Sequence, residues 1–151
     1  MTPKQFIDAM LRHGNGASEK SITLFEKELG AKLPADYRNF LLLCNTGHCG
    51  GVVQFKRNGP SIQHVFGMST KECYSLSWYL NLVRKGEGPP IPEDLLPIMD
   101  DPGSSFVCLA WRGKNVGKIF RWYPCTAKKI AASFTDFLKG LREVSEEEDD
   151  N

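Results

Sequence analysis

The sequence predicts an α+β fold in which helices cluster early and late around an antiparallel sheet. Three observations carry that expectation. Apolar residues recur at helical spacing early in the chain, as in Tyr37, Phe40, Leu41 and Cys44. Two runs rich in aromatic and branched residues, 105–111 and 117–123, stand either side of Gly113-Lys114-Asn115 and read as a hairpin. A capped amphipathic segment from Ser133 to Leu141 then closes the chain ahead of an acidic run. The chain has 151 residues, a length that suits one domain and buries roughly 70% of its unfolded surface without help from a metal or disulfide.

Thr2-Pro3-Lys4-Gln5 starts the first helix: Thr2 caps, Pro3 takes the first helical position and Gln5 closes a capping box. Phe6, Ile7, Met10 and Leu11 form its apolar face, and it should stop before Gly14-Asn15-Gly16. A second helix runs from about Ser18 to Leu29 with Ile22, Phe25 and Leu29 inward, and Gly30 ends it in a left-handed conformation. Leu33-Pro34-Ala35-Asp36 begins the third, which exits through Asn45-Thr46-Gly47, with Gly50-Gly51 marking a sharp change of direction.

Val52–Lys56 reads as a strand, Asn58-Gly59 as a hairpin-type turn, and Ile62–Phe66 as a short second strand. Ser69-Thr70-Lys71-Glu72 offers a cap and box for a fourth helix, with Cys73, Leu76, Tyr79, Leu80 and Val83 on one side. Ile91–Ile98 carries too much proline for a regular element and is expected as an ordered crossing segment. The 105–123 hairpin, the most apolar of the β signals, should sit centrally in the sheet. Residues 1–142 then form a single domain and residues 143–151 a disordered acidic tail.

A formal net charge of +1 hides an asymmetry. Residues 143–151 hold six acids and no base, so residues 1–142 carry nineteen bases against twelve acids, a surplus of seven. Such a body implies an acidic partner or a nucleic acid, or else a Lys-rich solvated surface. The tail repels itself, and it can also fold back onto the body. Lys114, Lys118, Arg121, Lys128 and Lys129 lie among aromatics. No RNA-recognition sheet motif or zinc finger accompanies them, so direct nucleic-acid binding is not expected. The N-terminus lacks the apolar stretch of a signal peptide, and the longest apolar run, Phe40–Cys44, is far short of a membrane span. A cytoplasmic location with no membrane partner is the expectation.

Five cysteines are present, an odd count: Cys44, Cys49, Cys73, Cys108 and Cys125. Cys44, Cys73 and Cys108 sit inside apolar patterns, which fits buried free thiols in a reducing compartment. Cys44, His48 and Cys49 are the one close metal-type cluster and lack a fourth ligand, so no metal is expected. Cys44 or Cys49 with His64 could make a nucleophile and base, although Cys44 lies on an apolar helix face. Gly47–Gly51 leads into a strand rather than a helix, so it is a tight turn or a partner-contact loop rather than a phosphate cradle. Asp100-Asp101-Pro102-Gly103 is either a turn whose side chains accept backbone N–H groups or a partner contact, with too few oxygens to hold a cation. Trp78, Trp111 and Trp122 belong to the core unless exposed, in which case each is a binding anchor. No cofactor motif and no complete catalytic set emerges.

Four blocks, taken in order, resemble the SMI1/KNR4 family of the SUKH superfamily. They are Phe25–Leu41 running into Asn45-Thr46-Gly47; Ile91-Pro92 through Leu96-Pro97-Ile98 to Asp101; Val107-Cys108-Leu109 with Gly117–Trp122; and Ser133–Leu138. The likeness spans about residues 18–141. It departs at Asn45-Thr46-Gly47, where the family usually has Asn-Gly-Gly, and its aspartate-containing turn maps to Asp101. The resemblance implies a bent antiparallel sheet flanked by helices. It also implies a non-catalytic protein-binding function: an immunity protein that neutralises a polymorphic toxin, often a nuclease, by binding it. The alternative is a general interaction or regulatory scaffold of the same fold, and the third reading is an enzyme. Asn45, Gly47, Asp101, Trp111 and Trp122 are the residues expected to contact a partner, in a monomer or a weak dimer. The basic body is unusual for an inhibitor that would mimic nucleic acid.

Overall fold

Side-chain caps begin four of the five helices in residues 1–68 and 75–145, which the structure, a computed structural model, describes. In helix α1 (Pro3–Ala9) the Thr2 and Gln5 side chains exchange hydrogen bonds with each other's backbone N–H, the capping box in full. Ser18 caps α2 (Glu19–Leu29), and Gly30 ends it at φ +92°. Helix α3 (Ala35–Leu43) follows Pro34 without a side-chain cap. Ser75 caps α4 (Leu76–Lys85) and Ser133 caps α5 (Phe134–Lys139). Helix α4 therefore starts later than the Ser69–Glu72 cap and box, which lies outside the described residues.

Eight strands are described: β1 (Arg12–His13), β2 (Gly47–Phe55), β3 (Ser61–Val65), β4 (Leu95–Asp100), β5 (Phe106–Ala110), β6 (Ile119–Tyr123), β7 (Thr126–Ala131) and β8 (Leu141–Glu143). They form one sheet in the order β1-β2-β3-β4-β5-β6-β7, with β8 also on β2 and every named pair antiparallel. The β5–β6 hairpin has a strand on each side, as its apolar composition demands. The sheet is bent: residues 56–60 of the β2–β3 turn share a cleft with Arg121, Tyr123 and Lys128, although β4 and β5 separate β3 from β6.

Several expectations are corrected. Arg12 and His13 leave α1 and pair with β2. Gly47–Gly51 is part of β2 rather than a turn before it; Gly50 and Gly51, at φ +63° and +83°, make an outward bulge within the strand. Residues 95–100 form a regular strand despite Pro97. The proline lies beyond the two residues that pair with β3, and a register shift between Pro97 and Met99 absorbs it on the β5 side. Pairing also continues past the expected boundary at 142, because Glu143 is in β8 and the Val144 N–H donates to Val52 O at 2.8 Å. Residues 146–151 lie outside the described residues.

The main core packs the inner faces of all five helices on the sheet. Phe134 of α5 meets Phe40 and Tyr37 of α3 at 5.2 and 5.1 Å between ring centroids, and Phe137 stacks on Phe55 of β2 at 5.1 Å. Asp36 of α3 accepts from both the Thr135 N–H and its hydroxyl, fixing α5 against α3. Arg84 of α4 donates to the Glu28 and Leu29 carbonyls at the C-terminus of α2, where a cation and two free acceptors suit each other. A smaller cluster, Ile91, Leu95, Cys108, Ala110 and Trp122, covers a second patch across β4, β5 and β6. Burial by two clusters explains why β4 and β5 read as continuous apolar runs.

Candidate binding cleft

Strand register places one row of polar side chains across four strands. Arg12 lies opposite His48, His48 opposite His64, and His64 opposite Asp100. Residues directly opposite share a face of the sheet. The His48 and His64 rings are accordingly 5.0 Å apart between centroids, and His64 Nδ1 is 3.0 Å from Asp100 Oδ1. The same oxygen accepts the His64 backbone N–H at 2.8 Å. His13 stands beside Arg12, so the chain's three histidines line one cleft of about 280 Å³ with Arg12, Gly14, Thr46, Gly47 and Val65.

Asp100 and Asp101 are adjacent but chemically unlike. Burial pushes the Asp100 carboxyl above the usual carboxylate range, against the opposing pull of His64. Burial would raise Asp101 too, but hydrogen bonds from the Ser105 hydroxyl and N–H, Arg121 and the Gly103 N–H outweigh it and hold that carboxyl below its ordinary range. Gly103 N and Arg121 Nη2 each lie 2.8 Å from the carboxylate, and Ser105 N lies 3.1 Å away. Asp101 is thus the acceptor that folds its own turn and ties it to β6.

The five expected partner residues fall into different settings. Gly47 lines the histidine cleft, where a Cβ would come 2.3 Å from Met10 Sδ. Asn45 is half-buried and joins three segments: its backbone N–H donates to Asn15 O, its side-chain oxygen accepts from Met68 N, and its carbonyl lies against Gly67 where a Cβ would stand. Asp101 and Trp122 line a neighbouring cleft of about 480 Å³ together with Asp100. Trp111 sits elsewhere, with its indole N–H donating to Glu93 O at 2.9 Å. Trp111 and Trp122 are only 8% and 4% exposed, so the condition for either to act as a surface anchor is not met; Trp78, at 44%, is the exposed tryptophan. Sequence reasoning missed Arg12 and His13 because they follow directly on a helical pattern. The available signal was a polar pair ahead of Gly14-Asn15-Gly16, a run that breaks helices.

The cleft brings together part of an enzyme's equipment. His48, His64 and Asp100 converge, but Cys49 is fully buried. Desolvation, reinforced by Cys44, pushes its thiol up to about 12. A thiol protonated at neutral pH and shut away from solvent is no nucleophile. Among the described residues no group of three or more His, Cys, Asp or Glu could hold a metal ion, and no helix is long and apolar enough to cross a membrane.

Fold and cleft together define an α+β domain, an antiparallel sheet flanked by helices, with a polar, histidine-lined recess on one face. The model of the SMI1 / KNR4 family (SUKH-1) matches residues 16–140, and the chain belongs to that family. A crystal structure of a protein from Pseudomonas syringae pv. tomato is similar to it, with a TM-score of 0.61 over 91% of this chain and 92% of that one at 15% identity, a likeness of fold alone. No curated protein matches the chain.

Proposed function

We infer that this chain is a non-catalytic protein-binding domain that serves as an immunity protein, neutralising a polymorphic toxin by direct association. Its membership of the SMI1/KNR4 family over residues 16–140 carries the reading. The cleft supports it. Polar groups are held in fixed register on rigid strands, as recognition requires, while the adjacent thiol is unreactive. Asn45, Gly47 and Asp101 lie at or beside the two clefts, on the face proposed to meet the partner; Trp122 lines one of those clefts from a largely buried position, whereas Trp111 lies away from both. A nuclease is one partner class. Because the body is basic, contact with it would run through acidic patches of the toxin rather than through mimicry of nucleic acid. Co-expression with the product of the neighbouring gene tests the reading. Protection of the host from that product is expected; a non-toxic neighbour with no protection overturns it.

A general scaffold role in the same fold is favoured by the contrast between basic body and acidic C-terminal run. In that case removal of residues 143–151 changes the set of bound proteins in a salt-dependent manner.

A further inference from the structure

We propose that the groove between the β2–β3 turn and strands β6 and β7 docks an acidic segment of a protein partner, whose carboxylates meet Lys56, Arg57, Arg121 and Lys128. The inference rests on the proposed binding function for the class of partner and names the chemistry of one contact. The groove encloses about 480 Å³, and no acid stands among the described residues that line it. Lys56 and Arg57 belong to one wall, Arg121 and Lys128 to the other. Asp101, which is not part of the lining, bonds Arg121 and offsets its charge. Lys56, Arg57 and Lys128 are exposed and make no ion pair among the described residues.

Two features set this cluster apart from a solvated Lys-rich surface. Arg121 and Lys128 are direct partners in the β6–β7 register, and like charges directly opposite on adjacent strands are destabilising. Lys56 sits in the left-handed region at φ +50°, which a residue with a side chain enters only at a cost in backbone energy. Stability is thus lost at both positions to hold cations here, and a carboxylate between the walls relieves the first loss. The framework is also fixed before anything binds. The Lys56 N–H donates to Gly140 O at 2.8 Å and the Phe55 N–H to Pro60 O at 2.9 Å. Arg121 is held by Asp101 at 2.8 Å and lies over the Tyr123 ring at 4.2 Å. Lys56 Nζ lies over the Phe55 ring at 5.2 Å. Cations positioned in advance lose little freedom on association.

The aromatic side chains decide against nucleic acid. A single strand binds a basic groove by stacking its bases on open rings. Phe55 is only 4% exposed and stacks on Phe137 at 5.1 Å. Tyr123 is more open, but the Arg121 guanidinium covers its ring. A basic groove without a free stacking surface suits carboxylates instead. Strand β7 is also the last in the sheet, so an extended acidic segment reaches Lys128 along an edge that no described strand occupies.

The test titrates the full chain with a fluorescent oligoglutamate peptide, using oligoglutamine and oligothymidylate as comparators, and maps contacts by backbone amide NMR. Saturable binding of oligoglutamate is expected, with shifts at residues 55–60 and 121–130. It should vanish near 1 M salt, where the screening length is about 3 Å. Lys128→Glu should weaken it about tenfold, the worth of one charge-assisted contact. Lys20→Glu, exposed on α2, should change it less than about twofold. Lys128→Gln and Lys56→Gly should weaken binding yet leave the chain at least as stable in urea, because each removes a source of instability. Lowered stability with unchanged binding in these variants overturns the proposal. So do an absence of binding, equal weakening by Lys20→Glu, shifts confined to the histidine cleft, and a preference for oligothymidylate. The experiment uses this chain and a peptide, so its failure leaves the toxin-binding reading standing, and a neighbouring gene product that proves harmless leaves a positive result here intact.

Discussion

Asp101 Oδ2 accepts from Arg121 Nη2 at 2.8 Å, joining the turn after β4 to β6 across the intervening strand β5. The same carboxylate takes the Gly103 N–H, the Ser105 N–H and the Ser105 hydroxyl. It therefore organises the wall of one cleft while its neighbour Asp100 orients His64 in the other. Replacing Asp101 with Ala leaves a partly buried guanidinium and several donors unpaired. We expect a loss of about 2–4 kcal/mol in urea unfolding, with Asp101→Asn intermediate. Removal of the exposed Arg112–Glu93 pair should cost under about 1 kcal/mol.

The two aspartates should titrate in opposite senses. Asp101 is depressed by its donors, so its contribution to stability is complete above the ordinary aspartate value near 3.9 and is lost as pH falls through its lower folded value. Asp100 is raised, so its ionised form opposes folding at neutral pH, and that penalty is relieved as pH falls through its folded value toward the ordinary one. Carboxyl NMR titration should give the higher midpoint to Asp100.

Tyr37 Oη is buried with no hydrogen-bond partner among the described residues, and desolvation raises its phenol far above the ordinary value. A hydroxyl in that state costs free energy, because water is lost and nothing replaces it. Tyr37→Phe keeps the edge-on contact with Phe134 and removes the orphan. The variant is expected to be about 1 kcal/mol more stable in denaturant melts; an equal loss would show that the hydroxyl has a partner.

How much was legible follows from where the information is local. Helix starts at Thr2, Ser18 and Ser133 are written in single side chains, and the structure uses each of them. The apolar β5–β6 hairpin announced its interior position. Strand β7 did not. Its residues are mostly exposed, with Lys128 and Lys129 on the sheet's outer edge, where charge discourages further pairing. Its turn is Pro124-Cys125, in which Cys125 takes φ +74° without being the glycine that would signal such a turn. The histidine row was hidden for another reason. His48 meets His64 only because β2 bulges at Gly50 and Gly51, an offset that strand alternation does not encode.

Thiol chemistry separates the described cysteines. Cys125 is exposed, whereas Cys44, Cys49 and Cys108 are buried with their thiols pushed upward by desolvation. Maleimide should label Cys125 within the native protein and reach the other three only on unfolding, as read by mass spectrometry of the peptides. Cys125→Gly should remove that labelling and, by relieving the left-handed backbone, stabilise the fold by up to about 1 kcal/mol.

Recognition without bond-breaking is the centre of this account, and calorimetric titration of the purified chain with the product of its neighbouring gene addresses it most directly. A saturable complex of fixed stoichiometry, weakened by charge reversal along the cleft and leaving both chains covalently intact, is the expected result. An absence of heat and of complex, or turnover of the added protein at the His48–His64–Asp100 row, would contradict it.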